Sequence, residues 1–243
     1  MAGARAARKS RQRLPFDFTE EDARLCSFLR PFTLSGFATI KVLASAIAYI
    51  EKHRIEGDIV ECGVWRGGQM MAAAMTLAGM GSLHRDLYLF DTFAGMSPPS
   101  EVDVDYAGRT GSSYLRRSGH VAVVPLEQVQ VNMAKTAYPA DKIKYVKGRV
   151  EDTVPGQAPE RIALLRLDTD WYESTRHELV HLFPRVTPYG VVIIDDYGHF
   201  KGSQKAVDEY LETCSVPLFL GRIDYSGRII IKSPPLTTPP LKT

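Results

Sequence analysis

Apolar positions along the chain fall into two patterns, one with helical spacing and one of short unbroken runs. Between Leu34 and Ile50 the apolar residues recur every three or four positions, which predicts a helix with one buried face. An acidic segment near Glu20–Leu29 predicts a shorter helix before it. Short unbroken apolar runs are typical of strands that are buried on both faces of a sheet. Such runs occupy Asp58–Cys62, Leu87–Phe90, Ile143–Val146, Ile162–Leu167, Val191–Ile194 and Leu218–Leu220.

Helical segments separate most of these strands. Helices are predicted for Gly67–Gly79, Leu126–Ala137, Tyr172–Phe183 and Gln204–Thr213. Because strands that alternate with helices pair in parallel, the pattern predicts an α/β fold with a doubly wound, mostly parallel sheet. The final run, Arg228–Lys232, follows a turn and predicts an antiparallel C-terminal edge strand. Ligands of such sheets bind beyond the carboxyl ends of the strands, where the strand order reverses.

The 243-residue chain is predicted to form one domain over residues 15–232, with a helical segment at its N-terminal end. Residues 1–14 are predicted to be a disordered basic tail, and residues 233–243 a Pro-rich tail without regular structure. From residue 92 to about residue 120 proline and glycine recur with little periodicity. That stretch predicts a long loop of the kind that serves as a lid.

The composition of the chain argues against two classes of partner, nucleic acids and membranes. When the five Lys and Arg residues of the basic tail are set aside, the formal net charge of +2 becomes −3, so no nucleic acid partner is expected. No apolar run approaches the roughly 20 residues that a membrane helix needs, so no membrane association is expected. Three widely spaced cysteines favour reduced thiols in a cytoplasmic protein. The N-terminal segment and the lid are expected to pack against a second subunit, which predicts a homo-oligomer.

A glycine-containing turn follows the first strand. Glu61, Gly63 and Gly67 form the pattern E-x-G-x-x-x-G. The pattern has Trp65 where a dinucleotide-binding loop has glycine, and it lacks the lysine of a P-loop, so NAD and nucleoside triphosphates are disfavoured. It resembles the first motif of class I S-adenosylmethionine-dependent methyltransferases, which implies that these residues lie beside the amino acid end of that cofactor. Asp91, at the exit of the next strand, is placed like the acid that accepts hydrogen bonds from the ribose hydroxyls.

Two later strands end in paired acids. Asp168 and Asp170 follow one buried strand, and Asp195 and Asp196 follow the next. Carboxylates gathered on one rim repel each other, so a positive partner is expected, and Mg²⁺ prefers oxygen ligands of this kind. The alternative is that Asp168, Asp170 or Asp196 caps the helix that follows it. Two acids at each exit are more than capping requires, which favours a magnesium site.

Five segments, taken in order along the chain, carry a resemblance to the macrocin O-methyltransferase family. They are VECGVWRGG, LFDTFAGM, KGRVEDTVP, LLRLDTDWYEST and VIIDDYGHFKG, and the resemblance runs from about Phe16 to Lys232. Members of that family are metal-dependent enzymes that methylate sugar hydroxyls of antibiotics. The resemblance implies a class I, Rossmann-like methyltransferase fold, with S-adenosylmethionine and Mg²⁺ as cofactors. It implies that Asp168, Asp195 and Asp196 are ligands of the metal and that Asp170 is a candidate general base.

The resemblance also places the segment Gly148–Asp152, including Val150 and Glu151, near the adenine. The alternative is that its acids begin a helix, where the helix dipole favours them. His199 and His120 are competing candidates for the base, although each is also typical of a residue that only positions a loop or lies exposed. Three aromatic residues are expected either to line the acceptor pocket or only to pack. They are Trp65, Tyr172 and Tyr197.

The expected acceptor is a small molecule, a glycosylated natural product that is methylated on a sugar hydroxyl during antibiotic biosynthesis. One departure puts this acceptor in question. Where family members commonly read T-M-T-S-P-E-R, this chain reads TLSGFAT over residues 33–39, without the Glu and the Arg. A catechol-like or other small acceptor is the first alternative. A non-catalytic binding protein that keeps the methyltransferase sheet is the second.

Overall fold

The computed structural model describes residues 15–235, except for the side chains of residues 118–122. Within this range seven strands form one sheet. They are β1 (Asp58–Cys62), β2 (Leu87–Asp91), β3 (Ile143–Lys147), β4 (Ile162–Leu167), β5 (Val186–Ile194), β6 (Gly221–Arg222) and β7 (Arg228–Ile231). The α-helices of the same range are α1 (Glu20–Leu29), α2 (Phe37–Lys52), α3 (Gly68–Gly79), α4 (Gly111–Ala122), α5 (Leu126–Met133), α6 (Val150–Thr153), α7 (Tyr172–Leu182) and α8 (Lys201–Glu212).

The strand order is β3-β2-β1-β4-β5-β7-β6. The first five strands pair in parallel, whereas β7 runs antiparallel to both β5 and β6. The prediction of a doubly wound, mostly parallel sheet with an antiparallel C-terminal edge is therefore confirmed. The chain starts at β1, winds outward to β3, and then crosses to β4, so the order reverses between β1 and β4. Ligands of doubly wound sheets bind at this point.

The sheet is buried on both faces, as its continuous apolar strands predict. On one face α1, α2, α3 and α5 pack against side chains such as Ile59 and Leu164. On the other face α6, α7 and α8 pack against side chains such as Val60 and Leu165. Neighbouring positions on a strand point to opposite faces, and each face has its own helical layer. Among the described residues, no helix is both long enough and apolar enough to cross a membrane.

Several predicted boundaries differ from the structure by a few residues; for example, β5 begins at Val186 rather than Val191, and α8 begins at Lys201 rather than Gln204. Two segments differ in kind. Leu218–Leu220 is not a strand, because the chain enters the sheet only at β6 and for two residues. The predicted loop from residue 92 to residue 120 contains α4, whose N-cap residue Thr110 accepts a hydrogen bond from the amide of Ser113. The tails outside residues 15–235 lie beyond the described residues, so the predictions for them and the domain boundaries stay predictions.

The predicted lid is fastened to the body of the domain by two buried acids. Asp103 accepts hydrogen bonds from Ser100 and from the amide of Tyr172, the first residue of α7. Asp105 accepts from the amides of Ala107 and Arg109 and pairs with the Arg109 guanidinium. Both acids are at most 1% exposed. The first half of this segment therefore forms a fixed wall of the domain.

Candidate active site

A cavity of about 470 Å³ opens at the carboxyl ends of β1 and β4. This volume suits a small-molecule ligand. Its walls include nine of the ten residues that the sequence analysis assigned to cofactor, metal or catalysis. They are Glu61, Gly63, Asp91, Val150, Glu151, Asp168, Asp170, Asp195 and Asp196. The tenth, Gly67, lies just outside the wall as the N-cap residue of α3.

The turn after β1 and the loop after β4 meet at Gly63. This residue has a φ of +83°, and a Cβ atom there would lie 2.0 Å from the carbonyl oxygen of Asp168. A side chain at position 63 would therefore push the two loops apart. The amide of Asp168 also donates to the carbonyl of Cys62 at 2.8 Å, which fastens the same junction. Because Gly63 has no side chain, the loop that carries Asp168 can lie directly against it.

Asp91 connects the glycine turn to β2. Its Oδ2 accepts hydrogen bonds from the amides of Val64 at 2.7 Å and Trp65 at 3.0 Å, and its Oδ1 accepts one from the amide of Phe93 at 2.8 Å. The hydroxyl of Thr92 also lies 3.5 Å from Oδ1. An ionised carboxylate has about four acceptor positions, so a ribose hydroxyl would replace or share this long contact. The proposed acceptance of ribose hydroxyls is compatible with this geometry and stays a prediction.

Three acids converge closely enough to share one cation. Oxygen atoms of Asp168, Asp195 and Asp196 all lie within 4.8 Å of one another. Hard divalent cations bind oxygen atoms at about 2.0 to 2.6 Å, so three oxygens at this spacing can reach one ion. The Oδ2 atom of Asp196 is buried and has no hydrogen-bond partner among the described residues, and a buried acceptor in that state is costly. The donor set and this unpaired oxygen fit Mg²⁺ or a similar cation.

Burial raises the pKa values of Asp168, Asp170 and Asp196. The pKa of Asp168 lies well above its ordinary value because burial outweighs the opposing effect of Arg166, and Asp195 and Asp196 add repulsion. The pKa of Asp196 is also well above its ordinary value, through burial and repulsion from Asp170 and Asp195. Burial raises the pKa of Asp170 to about 7, although a hydrogen bond with Asp196 opposes the shift. A carboxyl with a pKa near neutrality is suited to exchange a proton at neutral pH.

A cation that was not predicted from the sequence lies inside this cluster. The Arg166 side chain is 2% exposed, and its guanidinium pairs with Glu61, Asp168 and Asp195 at 2.6 to 2.7 Å. Burial raises the pKa of Glu61 to about 7, and the Arg166 guanidinium opposes that shift. The sequence did contain a signal, because one arginine interrupts the otherwise apolar run IALLRL of β4. A charged residue in such a strand is almost never buried unless it is paired.

The alternative that the acids cap helices is wrong. The N-cap residue of α7 is Trp171 and that of α8 is Phe200, and neither helix start receives a side-chain hydrogen bond from its N-cap residue. The amide of Tyr172 in the first turn of α7 instead donates to Asp103, at 2.8 Å. Asp168 and Asp170 therefore remain available to the cavity.

At another part of the wall, α6 begins at Val150, and Glu151 lies in its first turn. The alternative that the acids of this segment begin a helix is therefore confirmed, and Val150 and Glu151 also line the cavity. Glu151 accepts hydrogen bonds from Ser174 at 2.8 Å and from Arg149 at 3.2 Å. These bonds and one from its own amide outweigh burial, so the pKa of Glu151 is lowered. The assignment of this wall to the adenine stays a prediction.

The segment that departs from the family pattern also lines the cavity. Thr33, Leu34, Ser35, Gly36 and Thr39 are all part of its wall. The hydroxyl of Thr39 lies 3.4 Å from Oδ2 of Asp224, which is in the turn before β7 and lines the cavity as well. The changed residues therefore lie where they can affect which acceptor enters.

Aromatic residues of the wall come from several elements. Trp65 lines the cavity, as one of the two alternatives for it predicted. Tyr172 and Tyr197 do not, because their hydroxyls bond to carboxylates of α8 at 2.7 Å and 2.8 Å instead. Tyr114 of α4 and Tyr225 line the cavity and were not anticipated, because no periodic pattern marks their segments.

Of the two histidines that are candidates for the base, His199 has a side chain that the structure describes. His199 lines the cavity, and its Nδ1 atom lies 3.0 Å from the hydroxyl of Tyr225. Burial lowers its pKa. The side chain of His120 lies outside the described residues.

Known proteins of similar sequence are O-methyltransferases. The family model for macrocin O-methyltransferase matches residues 8–231. A Streptomyces olivaceus protein named 8-demethyl-8-(2,3-dimethoxy-alpha-L-rhamnosyl)-tetracenomycin-C 4'-O-methyltransferase is 34% identical over 195 residues, which cover 80% of this chain and 73% of that protein. Demethyldecarbamoylnovobiocin O-methyltransferase of Streptomyces niveus is 31% identical over 195 residues, with coverage of 80% and 73%.

Among solved structures, the O-methyltransferase NovP is similar in fold and sequence. It superposes with a TM-score of 0.76 at 29% identity, and the alignment covers 84% of this chain and 83% of NovP.

Proposed function

The chain belongs to the macrocin O-methyltransferase family and is an S-adenosylmethionine-dependent O-methyltransferase, and we propose that it uses a divalent metal ion to methylate a sugar hydroxyl of a glycosylated natural product. The proposal rests on one observation above all. The acids Asp168, Asp195 and Asp196 converge with Asp170 in the same cavity as the glycine turn after β1. Relatives named for tetracenomycin and novobiocin support a role in antibiotic biosynthesis.

The cofactor is proposed to lie along the carboxyl ends of β1, β2 and β3. Glu61 has one carboxylate oxygen, Oε2, that is buried without a hydrogen-bond partner in a side chain that lines the cavity. That oxygen is suited to accept a hydrogen bond from the ammonium group of the methionine part. Asp91 would accept from the ribose hydroxyls, and Val150 and Glu151 would contact the adenine.

The metal is proposed to be held by Asp168, Asp195 and Asp196. When bound there, a divalent cation would make a nearby alcohol easier to deprotonate. A hydroxyl close to these three carboxylates would also be close to Asp170, which shares a hydrogen bond with Asp196. Two adjacent hydroxyls, as a sugar offers them, would be oriented by this arrangement so that one faces the methyl donor.

Asp170 is proposed to take the proton. In the transfer step the acceptor oxygen forms a bond to the methyl carbon while the bond from carbon to sulfur breaks. The proton of the hydroxyl passes to the Asp170 carboxylate, and S-adenosylhomocysteine is the second product. Asp170 has a φ of +68°, a left-handed conformation that Asp adopts more readily than most residues, so the loop can hold this side chain in the cavity wall.

The proposal is tested by methyl transfer from labelled S-adenosylmethionine to a panel of acceptors. The panel pairs rhamnosylated and other glycosylated natural products with catechols of similar size, each with and without Mg²⁺. We expect transfer to a glycoside, located on the sugar by mass spectrometry, and loss of transfer in EDTA. Transfer that EDTA does not affect would exclude the metal. A preference for catechols would exclude the sugar acceptor.

A further inference from the structure

Arg166 lies between the two binding regions of the cavity. In the sheet it is directly opposite Glu61 of β1, and it precedes Asp168 by two residues. Its Nη1 atom lies 2.6 Å from Oε1 of Glu61 and 2.6 Å from Oδ2 of Asp168. Its Nη2 atom lies 2.7 Å from Oδ1 of Asp195 and 3.3 Å from the hydroxyl of Ser35. One side chain therefore contacts the acid of the proposed cofactor region and two acids of the metal cluster.

Arg166 supplies the positive charge that faces these three acids. Among residues 15–235, no other lysine or arginine forms an ion pair with Glu61, Asp168 or Asp195. Buried carboxylates without a counter-charge rearrange or take up protons. The guanidinium has five donors in a fixed plane, so it can hold several carboxylates in set directions at once.

In each of these three acids, Arg166 contacts only one of the two carboxylate oxygens. Within residues 15–235, Oε2 of Glu61 has no hydrogen-bond partner, whereas Oε1 accepts a hydrogen bond from Arg166. Likewise Arg166 bonds one oxygen each of Asp168 and Asp195. In all three acids, the contact with Arg166 fixes one oxygen and so sets the direction of the second.

We propose that Arg166 is a positioning residue that builds the cofactor region and the metal cluster together. It holds Glu61 for the methionine ammonium of the cofactor and holds Asp168 and Asp195 for the metal. This inference rests on the proposed function, because it assumes that both ligands bind in this cavity. Its consequence is specific: one substitution at position 166 weakens two separate binding events.

The test measures each binding event alone. Isothermal titration with S-adenosylhomocysteine, without metal, gives the cofactor affinity. Electron paramagnetic resonance with Mn²⁺, without cofactor, gives the metal affinity. The variants are Arg166→Met, which removes the charge, and Arg166→Lys, which keeps the charge but loses the planar fork. Glu61→Gln and Asp195→Asn serve as variants expected to impair one event each.

A matched control is available at the other end of the sheet. Arg85 is also buried, at 4% exposure, and lies outside the cavity. Arg85→Met and Arg85→Lys report what the loss of a buried arginine does to folding alone. Circular dichroism and thermal unfolding of every variant establish the temperature at which all are folded, and both affinities are measured there.

We expect Arg166→Met to weaken both affinities by at least about 10-fold, the usual effect of losing a group that orients ligands. Arg166→Lys should show smaller losses in both, and the Arg85 variants should bind as the unchanged protein does. If Arg166→Met does not fold, Arg166→Lys alone decides the question.

Unchanged affinities, loss of only one affinity, or tighter Mn²⁺ binding in the folded Arg166 variants would overturn the inference. Tighter Mn²⁺ binding would mean that Arg166 competes with the metal. If the unchanged protein bound neither S-adenosylhomocysteine nor Mn²⁺, the proposed function would fail instead.

Discussion

Two arginines are buried at opposite ends of the same sheet, and their surroundings differ. Arg85, just before β2, donates to the carboxylate of Glu51 and to the backbone carbonyls of Gly57 and Ile55. Arg166, near the end of β4, instead faces three carboxylates, and further acids lie beside them. The guanidinium of Arg85 therefore faces one carboxylate, whereas the guanidinium of Arg166 faces three.

The difference shows that a buried charge does not by itself indicate function. At the Arg85 end the positive and negative charges balance, so the arrangement needs no ligand to complete it. At the Arg166 end negative charge is in excess, and buried oxygens of Glu61 and Asp196 have no partner. Such groups are rare in folded proteins and require an explanation, for which a bound cation is the simplest.

Substituting one acid at each end tests this contrast most strongly. Asp195→Ala should abolish detectable methyl transfer, with excess Mg²⁺ restoring only part, because the cluster loses one of three ligands. Glu51→Gln should lower the free energy of unfolding, because Arg85 loses its counter-charge, and should leave Mn²⁺ affinity unchanged. The measurements are methyl transfer, Mn²⁺ titration and urea denaturation. Loss of Mn²⁺ binding in Glu51→Gln would remove the distinction between the two ends.

The next largest effect is expected at Asp170. Asp170→Asn should lower kcat by roughly 10²- to 10⁴-fold, the usual contribution of a general base, with little change in S-adenosylhomocysteine affinity. His199→Gln is the matched variant, because His199 also lines the cavity. A larger loss of kcat in His199→Gln than in Asp170→Asn would transfer the role of base to the histidine.

Two glycines at the ends of β1 give a third test. A Cβ atom at Gly57 would lie 2.7 Å from the amide nitrogen of Ala163, and one at Gly63 would lie 2.0 Å from the carbonyl oxygen of Asp168. Both positions have positive φ, so both alanine variants should lose stability, by at least about 1 kcal/mol. Only Gly63→Ala should also weaken Mn²⁺ binding, because it displaces Asp168. Equal Mn²⁺ affinity in the two variants would show that Gly63 does not position the cluster.

The smallest effect concerns Glu178, an acid of α7 that forms no ion pair with any side chain that the structure describes. It is fully buried and lies 3.2 Å from the hydroxyl of Thr169, which separates Asp168 from Asp170. Burial raises its pKa well above the ordinary value, so the folded state keeps a proton that the unfolded state releases above about pH 4.3.

The contribution of Glu178 to stability is therefore largest below about pH 4.3 and falls as the pH rises, by at most about 1.4 kcal/mol per pH unit. Glu178→Gln removes this dependence, so its stability relative to the unchanged protein should rise between pH 6 and pH 8. Urea denaturation at both pH values measures the difference. A difference that does not change with pH would mean that Glu178 is already ionised in the folded state.

Most strands and helices could be predicted because their signals are local. The limits of α1, β1 and β4 agree with the apolar pattern residue for residue, since each pattern ends at a change of polarity or at a turn. The failures lie where the signal is weak. The three apolar residues Leu218–Leu220 are too few to specify a strand without neighbours, and α4 lies in a stretch without helical periodicity.

The acids of the site could also be predicted, because the carboxyl ends of parallel strands meet on one edge. The atoms that pair with these acids could not be predicted. Glu61 and Arg166 are 105 residues apart, and their contact depends on the register between β1 and β4. Asp103 bonds to the first residue of α7 from 69 positions away, so the capping alternative could be rejected only in three dimensions.

The sequence by itself thus determined the order of elements, the parallel sheet and the acids at the strand exits, because each follows from the local alternation of apolar and polar residues. The tertiary structure alone decided that Arg166 lies among those acids, that Gly63 holds two loops together, and which aromatic residues form the cavity wall. These contacts depend on strand register and loop packing, which no local pattern encodes.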